Sequence, residues 1–314
     1  MYLAYRRLLR VIILKLLFFL PKAKRMQLER WLRGREEARK LGLADCVVVS
    51  YGKSGRTWLR VMLSRFLQVK YGLSKHHLIG FDNLHRKNPA IPRIFFTHDN
   101  YLKDYTKNAG SKVDYAGKKV VLLVRNPADV AVSQYFQWKF RMKASKKALN
   151  DYPLDEEESV FDFVMREGSG LPKIIDFMNL WAEEAGRLES LLIVTYEEMR
   201  AAPQETLARI VAFMDRPGTP EELAEAVEFA SVENMRAMEQ KRTFWLSGSR
   251  MVAKDRGNPQ SFKVRRAKVG GYRDYFSDAE TAQIQDLIRS RLHPSFSFAA
   301  EVPAEAAPQA AGQS

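Results

Sequence analysis

Two segments of the chain carry residue types suited to gripping phosphate. The first is Gly52-Lys53-Ser54-Gly55-Arg56-Thr57, followed by Trp58. It is a glycine-containing turn with a lysine, set between an apolar run and a stretch of helical period. A turn that opens a helix presents unpaired backbone N–H groups, and the helix dipole adds positive potential, so the segment reads as an anion site. The second is Arg125-Asn126-Pro127-Ala128-Asp129, with Ser133 further on. A guanidinium meets a phosphate with two parallel hydrogen bonds, and a hydroxyl on the following helix can donate to the same group. His98, in Phe96-Thr97-His98-Asp99, closes another apolar run. An imidazole that is partly neutral at pH 7 can accept a proton from a hydroxyl.

Particular elements must hold these residues. Residues 45–50 (DCVVVS), 93–98 (RIFFTH), 119–124 (KVVLLV) and 191–195 (LLIVT) read as strands. Helical stretches follow at 58–68, at 129–142 with Pro127 near its start, and beyond Pro203. Strands alternating with helices predict an α/β fold, a central, mostly parallel sheet flanked by helices. In such sheets ligands bind outside the C-terminal ends of the strands, and the phosphate loop, Arg125 and His98 all fall there. The apolar residues of 132–140 and 161–178 have helical spacing and read as core. Residues 141–159 read as an exposed charged loop. Residues 241–263, with Phe244, Trp245, Gly248, Gly257 and Pro259, read as a long loop or lid. From about Glu301 onward the Ala, Pro, Glu and Gln composition reads as a disordered tail. The organisation expected is a basic segment at 1–44, a domain at 45–295 and a tail at 296–314.

The chain has 314 residues, 46% hydrophobic and 28% charged, enough to bury a sizeable core. Its net charge of +14 calls for an anionic partner. Residues 1–40 hold 12 Lys or Arg against 3 Glu, so most of that excess is N-terminal, which argues against nucleic-acid binding by the main domain. The single cysteine, Cys46, excludes an internal disulfide and a Cys-rich zinc site, and its place in a strand reads as a small buried apolar residue. No run of about 20 uncharged apolar residues exists, which excludes an ordinary transmembrane helix. Residues 6–20 (RRLLRVIILKLLFFL) place Arg6, Arg7, Arg10 and Lys15 on one half of a helix; Pro21 ends it, and Lys22, Lys24 and Arg25 follow. Such a helix suits an anionic membrane surface. A core-packing helix with a solvated edge is the other reading. Lys15 and the missing small-residue cleavage site speak against a secretory signal.

The phosphate loop is not the usual nucleotide-triphosphatase pattern, Gly-x4-Gly-Lys-Ser/Thr. With Gly52-Lys53-Ser54 as its end, the first glycine would fall at Val47, inside a strand. The shorter loop resembles the 5′-phosphosulfate loop of the PAPS-dependent sulfotransferases (PAPS is 3′-phosphoadenosine-5′-phosphosulfate). That family's Tyr-Pro-Lys-Ser-Gly-Thr-Thr-Trp stands here from Tyr51 to Trp58, with Gly52 for the proline and Arg56 for the first threonine. Arg125 to Ser133 resembles the family's 3′-phosphate motif, Arg-x-Pro-x-Asp-x-x-x-Ser. A third stretch, from Arg265-Arg266-Ala267 through Gly270 and Tyr272 to Phe276, resembles its Arg-Lys-Gly-x-x-Gly-Asp-Trp-Lys-Asn-x-Phe, with Ala267 where the family has glycine. Tyr196, in Thr195-Tyr196-Glu197-Glu198, matches a Tyr-Glu-Asp/Glu that follows a strand. Ser231-Val232-Glu233-Asn234-Met235 resembles a segment whose Phe and Met flank adenine, with Val232 at the Phe position. The likeness runs over about residues 45–292.

The resemblance implies a P-loop-like sulfotransferase fold, PAPS as sulfuryl donor and no metal. It assigns Lys53, Ser54, Gly55, Arg56, Thr57 and Trp58 to the 5′ end of the nucleotide. Arg125, Ser133, Arg265, Arg266 and Ala267 go to the 3′-phosphate, and Tyr196 and Met235 to the adenosine. Lys53 is also the catalytic candidate at the bridging oxygen and leaving phosphate. His98 is the candidate general base, in a Lys-Thr-His motif whose lysine is Phe96 here. The acceptor supplies a hydroxyl, and the N-terminal segment favours a glycan or lipid. The expected location is cytoplasmic and peripheral on the membrane. Two other readings stand beside this one: a P-loop phosphotransferase, which shares the strand-loop-helix, and a non-catalytic membrane-associated nucleotide-binding protein. His76, His77, His85 and His293 match no motif and read as surface or packing residues, and no His/Cys/Asp/Glu spacing points to metal ligands.

Overall fold

The computed structural model describes residues 2–154, 157–241, 243–244 and 268–298. Two helices, α1 (Tyr2–Leu16) and α2 (Lys22–Leu43), lead into β1 (Cys46–Ser50) and α3 (Arg56–Lys70). Then come β2 (Ile94–Thr97), α4 (Leu102–Thr106), β3 (Lys119–Val124), α5 (Pro127–Phe140), α6 (Ala144–Leu149), α7 (Val160–Met165) and α8 (Leu171–Glu183). The chain continues through β4 (Ser190–Thr195), α9 (Tyr196–Ala201), α10 (Pro203–Phe213), α11 (Pro220–Phe229), α12 (Val232–Lys241) and α13 (Asp278–Arg291).

The four strands form one sheet in the order β2-β1-β3-β4, and every pair is parallel. Valine and leucine fill them because both faces are covered, which leaves no place for polar alternation. Val47, Val49, Val120, Leu122 and Val124 point into a core built with Trp138 of α5 and Trp181 of α8. Their neighbours Val48, Val121 and Leu123 point the other way, against Met62 and Phe66 of α3 and Ile210 of α10. The α/β layering expected from the sequence is therefore the observed one. Register decides where function can sit. Val49 pairs with Thr97, Ser50 with Leu123 and Val124 with Thr195. The strands thus end together, and the residues that follow them (Tyr51 onward, His98, Arg125 and Tyr196) emerge along one edge.

Residues 141–159 contain a helix, α6, where an exposed loop was expected. Lys147 and Leu149 are buried, and the Lys147 ammonium lies 4.7 Å from the centre of the Trp138 ring. Six residues are too few to show a helical period, so only tertiary packing reveals the element. Of the expected lid, Thr243 is half-buried and Phe244 packs into the second core; residues 242 and 245–263 lie outside the described residues, as does the tail from 299.

Helix α2 is held against the segment that follows β2. A Cβ on Gly34 would stand 2.2 Å from the Tyr101 carbonyl oxygen and 2.9 Å from Tyr105 Cβ. Arg30 pairs with Asp151 at 2.9 Å and Asp104 at 3.5 Å, Glu37 accepts from the Tyr101 N–H at 3.3 Å, and Trp31 lies 5.5 Å from the Tyr105 ring. Arg10 of α1 binds Glu36 of α2 at 2.7 Å. Large apolar side chains of α1 and the turn after it are nevertheless exposed, among them Leu8, Leu16, Phe18 and Phe19.

The two α2 glycines should respond oppositely. Gly34→Ala forces a methyl into the Tyr101 carbonyl and is expected to lower stability by about 1–3 kcal/mol. Gly42→Ala meets nothing within 4 Å and should raise it by about 0.5–1 kcal/mol through helix propensity. Thermal melts of both variants check this; a harmless Gly34→Ala would mean that α2 is not seated as described.

Candidate active site

The phosphate loop departs from ordinary backbone at two residues. Lys53 has φ 76° and Gly55 φ 92°. Gly55 is required twice: by its left-handed conformation, and because a Cβ there would lie 2.6 Å from Cδ2 of Tyr196. It is also the N-cap of α3 and has no side chain to cap the first turn. The Trp58 N–H closes that turn on the Gly55 carbonyl at 2.9 Å, and the start of the helix, Arg56 and Thr57, opens on the cleft where an anion is favoured. Gly52, in the family's proline position, leaves room for Gln134, whose Oε1 would be 3.2 Å from a Cβ.

Arg125 leaves the end of β3 and is nearly covered. Its Nη2 donates to Asp129 Oδ2 and to the Lys268 carbonyl, each at 3.0 Å, and its guanidinium lies 4.3 Å from the centre of the Tyr196 ring. Asp129 does more than balance that charge. Its Oδ2 accepts from the Gly270 N–H and its Oδ1 from the Tyr272 N–H, both at 2.9 Å. One buried carboxylate therefore ties the β3 end, α5 and the C-terminal segment 268–272 together. Asn126 caps α5 by accepting from the Ala128 and Asp129 N–H groups, and its own N–H donates to Glu197 of α9. The Arg125 Nε is buried with no hydrogen-bond partner among the described residues, and Ser133 lines the same cleft. An orphan guanidinium donor beside a hydroxyl fits a phosphate oxygen.

Aromatic and apolar side chains adjoin this corner of the cleft. Trp58 donates its indole N–H to the Ala230 carbonyl at 2.8 Å and meets the Tyr196 ring edge-on at 5.8 Å. Val232 and Met235 line the same space. Burial pushes the Tyr196 hydroxyl above the usual phenol range, so it is a neutral donor here. Trp58, Tyr196 and Met235, far apart in the chain, are thus brought together. Arg265, Arg266 and Ala267 lie outside the described residues.

His98 stands across the edge from the loop. Its Nδ1 is 2.8 Å from the Ser50 carbonyl, which can only accept, so Nδ1 carries the proton and Nε2 the lone pair. Nε2 meets the guanidinium of Arg56. Burial first, and then the charges of Arg56, Lys146 and Arg60, hold the imidazole well below its usual range. It is neutral at pH 7. The next residue, Asp99, adopts φ 55° and accepts from Tyr115 Oη at 2.7 Å and Lys112 Nζ at 2.6 Å. Burial and the nearby Asp99 raise the Glu37 carboxyl of α2 to about 7.

Lys53, Arg56, Thr57, Trp58, His98, Arg125, Ser133, Tyr196 and Met235 all line one cleft of about 1100 Å³. Gly55 lines it as well, while Ser54 is buried beneath the loop. The other histidines have packing or surface roles: His85 Nδ1 lies 2.7 Å from the Ile91 carbonyl, His293 accepts from the Ser295 N–H, and His76 and His77 are at the surface. Cys46 is buried, and burial pushes its thiol up to about 12. Sequence reasoning named Asp129 only as part of a motif, since its Gly270 and Tyr272 partners lie more than 140 residues away. It also missed the Arg56–His98 contact, for which the only signal is the arginine in a threonine position.

Residues 43–296 match the sulfotransferase domain family, and the chain belongs to it. It is a PAPS-dependent sulfotransferase. Among its relatives is cytosolic sulfotransferase 12 of Arabidopsis thaliana, 25% identical over 277 residues, which cover 80% of this chain and 78% of that protein. Another is flavonol 3-sulfotransferase of Flaveria bidentis, 24% identical over 284 residues, covering 84% and 88%. The fold is that of a mouse sulfotransferase, SULT7A1, complexed with adenosine 3′,5′-bisphosphate (PAP): TM-score 0.53 and 20% identity over 80% of this chain and 84% of that one. Retinol dehydratase in complex with retinol and PAP superposes with a TM-score of 0.56 at 19% identity, covering 83% and 86%.

The state of His98 can be measured. An unperturbed imidazole titrates near pH 6.5. Its depressed value means that the unfolded chain takes up a proton here before the folded one does. The stability this residue contributes is complete above about pH 6.5 and falls as the pH drops from there toward the depressed value. An NMR titration should place the His98 midpoint below 6.5, and Arg56→Ala should move it upward. A wild-type midpoint at or above 6.5 would refute the electrostatic description.

Proposed function

We propose that this cleft transfers the sulfuryl group of PAPS to an acceptor hydroxyl, with His98 as general base. The observation that carries this reading is the His98 tautomer. Its lone pair at Nε2 faces the cleft beside the phosphate loop, and its neutrality at pH 7 suits proton pickup. PAPS brings the sulfuryl group and a phosphate leaving group. As the acceptor oxygen bonds to sulfur and the bond from sulfur to the phosphate oxygen breaks, the hydroxyl proton passes to His98 Nε2. Lys53 offsets the charge that builds on the departing phosphate. Arg56 leaves Nε2 so that its lone pair can take that proton.

Around this centre, Ser54, Gly55, Thr57 and the start of α3 hold the 5′ end. Arg125 and Ser133, with Arg265, Arg266 and Ala267, hold the 3′-phosphate, and Trp58, Tyr196 and Met235 enclose the adenine. PAP should stabilise the protein against heat, and AMP, lacking the 3′-phosphate, far less. His98→Ala should keep PAP binding and lose about 10²-fold or more in transfer of label from radiolabelled PAPS to a cell-envelope extract. Lys53→Ala should weaken both. Equal stabilisation by PAP and AMP would overturn the 3′-phosphate site, and an active His98→Ala enzyme the base.

The enzyme's place is the cytoplasm, a reading supported by the cytosolic sulfotransferase of Arabidopsis thaliana among its relatives, resting on an anionic membrane. Support for the second part comes from α1 and the turn after it. Phe18 is 76% exposed and Phe19 67%, with Leu8, Ile12 and Leu16 also in solvent, and the exposed Lys15, Lys22 and Lys24 stand among them. Among the described residues no helix is long and apolar enough to cross a membrane, so the contact is interfacial. Apolar burial gives it a salt-insensitive part, and each basic residue near the surface adds about 1 kcal/mol. Full-length protein should sediment with phosphatidylserine-containing vesicles and be only partly released by high salt. Deletion of residues 1–20 should abolish sedimentation while leaving PAP binding; unchanged sedimentation would refute the membrane contact.

A further inference from the structure

The same cleft extends beyond His98 into a wall of unusual charge. Thirteen Lys or Arg and five Asp line the whole cavity. PAPS brings about four negative charges, two of them on its 3′-phosphate, so cations remain in excess when the nucleotide is counted. The excess is local to the base. Besides the burial of its ring, the strongest influences on His98 are the Ser50 carbonyl and three cations, Arg56, Lys146 and Arg60, with no carboxylate among them.

Most cations of the wall are already answered. Arg30 is paired with Asp151 and Asp104, and Lys112 with Asp99. The Lys173 ammonium lies 3.3 Å from the Asn150 carbonyl, and Arg60 donates to the Ile79 carbonyl with its guanidinium 3.7 Å from the Phe96 ring centre. Lys146, on α6, lines the cleft without an ion pair among the described residues. Its principal electrostatic neighbours, Arg33 and Arg56, are both positive; Arg33 is paired with Glu29 at 2.6 Å, and Arg56 lies on the neutral His98. Like charges gathered in a partly dry cleft repel each other, and an anion placed among them relieves that repulsion. Below them the floor is aromatic. Tyr51 and Tyr152 bring their hydroxyls within 3.4 Å, and Phe177 meets Tyr51 edge-on at 5.5 Å.

We propose that the acceptor is an anionic hydroxyl compound, with its ring on Tyr51, Tyr152 and Phe177 and its negative group on Lys146 and Arg56. This deepens the sulfotransferase reading and rests on it. The hydroxyl then reaches His98 Nε2, and the acceptor's anion draws Arg56 away from that nitrogen, which frees the base only when an acceptor of the right charge is present. A neutral alcohol of the same shape leaves the Lys146 ammonium without a counter-charge and Arg56 still on the base.

The test uses full-length protein saturated with PAP, so that the nucleotide's anion positions are filled. Binding of para-hydroxyphenylacetate is compared by calorimetry with its uncharged amide, and glucuronate with glucose. In at least one pair the carboxylate should bind about tenfold or more tightly, a difference of about 1.4 kcal/mol. Lys146→Gln should abolish that preference and Lys146→Arg retain it. Equal affinity within both pairs, no saturable carboxylate binding, or an unchanged preference in Lys146→Gln each overturns the proposal. Failure of PAP itself to bind overturns the sulfotransferase site along with it; PAP binding without a carboxylate preference refutes the acceptor class alone.

Discussion

The parallel pairing of β1 with both β2 and β3 decides where every reactive group of this protein sits. Because Ser50, Thr97, Val124 and Thr195 finish at one edge, the four segments that follow share one cleft. A slip of one residue would turn each strand's side chains to the opposite layer and would carry His98 away from the Ser50 carbonyl that fixes its proton. Burial of valine and leucine on both faces therefore does more than stabilise the domain. It sets the alignment from which the chemistry follows.

Along that edge the dominant problem is positive charge. The protein solves it unevenly. Near Arg125 a carboxylate, Asp129, takes part of the charge and orders the C-terminal segment; on the far side Asp99 takes the Lys112 ammonium. Between them, the strongest charges acting on His98 are the cations Arg56, Lys146 and Arg60. The imidazole remains neutral there because burial, and then an already positive neighbourhood, disfavour a further proton. Arg56 belongs to this design. A threonine in its place would hydrogen-bond a ligand without biasing the base.

Much of this was legible in the chain. The strands and the phosphate loop announced themselves through contiguous patterns, a valine-rich run and then glycine, lysine and helix. The loop, Arg125 and His98 were placed on the ligand edge for the same reason. What escaped was non-local. The Asp129 contacts with Gly270 and Tyr272 span more than 140 residues, the His98–Arg56 contact joins the end of β2 to the start of α3, and α6 is too short to show a period. The fate of residues 1–44 also depended on tertiary contact. The sequence of α2 looks merely basic, yet Gly34 lets it press against the Tyr101 carbonyl, and Arg30 reaches the cleft.

Asp129 also constrains what the chain could become. Three N–H donors, from Arg125, Gly270 and Tyr272, converge on its two oxygens. Asparagine, although nearly the same shape, replaces one of those oxygens by an NH2 group that would face a backbone N–H or a guanidinium, donor against donor. Glutamate keeps both oxygens but is one methylene longer, in a site already 4% exposed and closed by two backbone segments. Alanine leaves all three donors without an acceptor. Drift at this position is blocked by the arithmetic of lone pairs, and neutral variation must find its room elsewhere in the cleft.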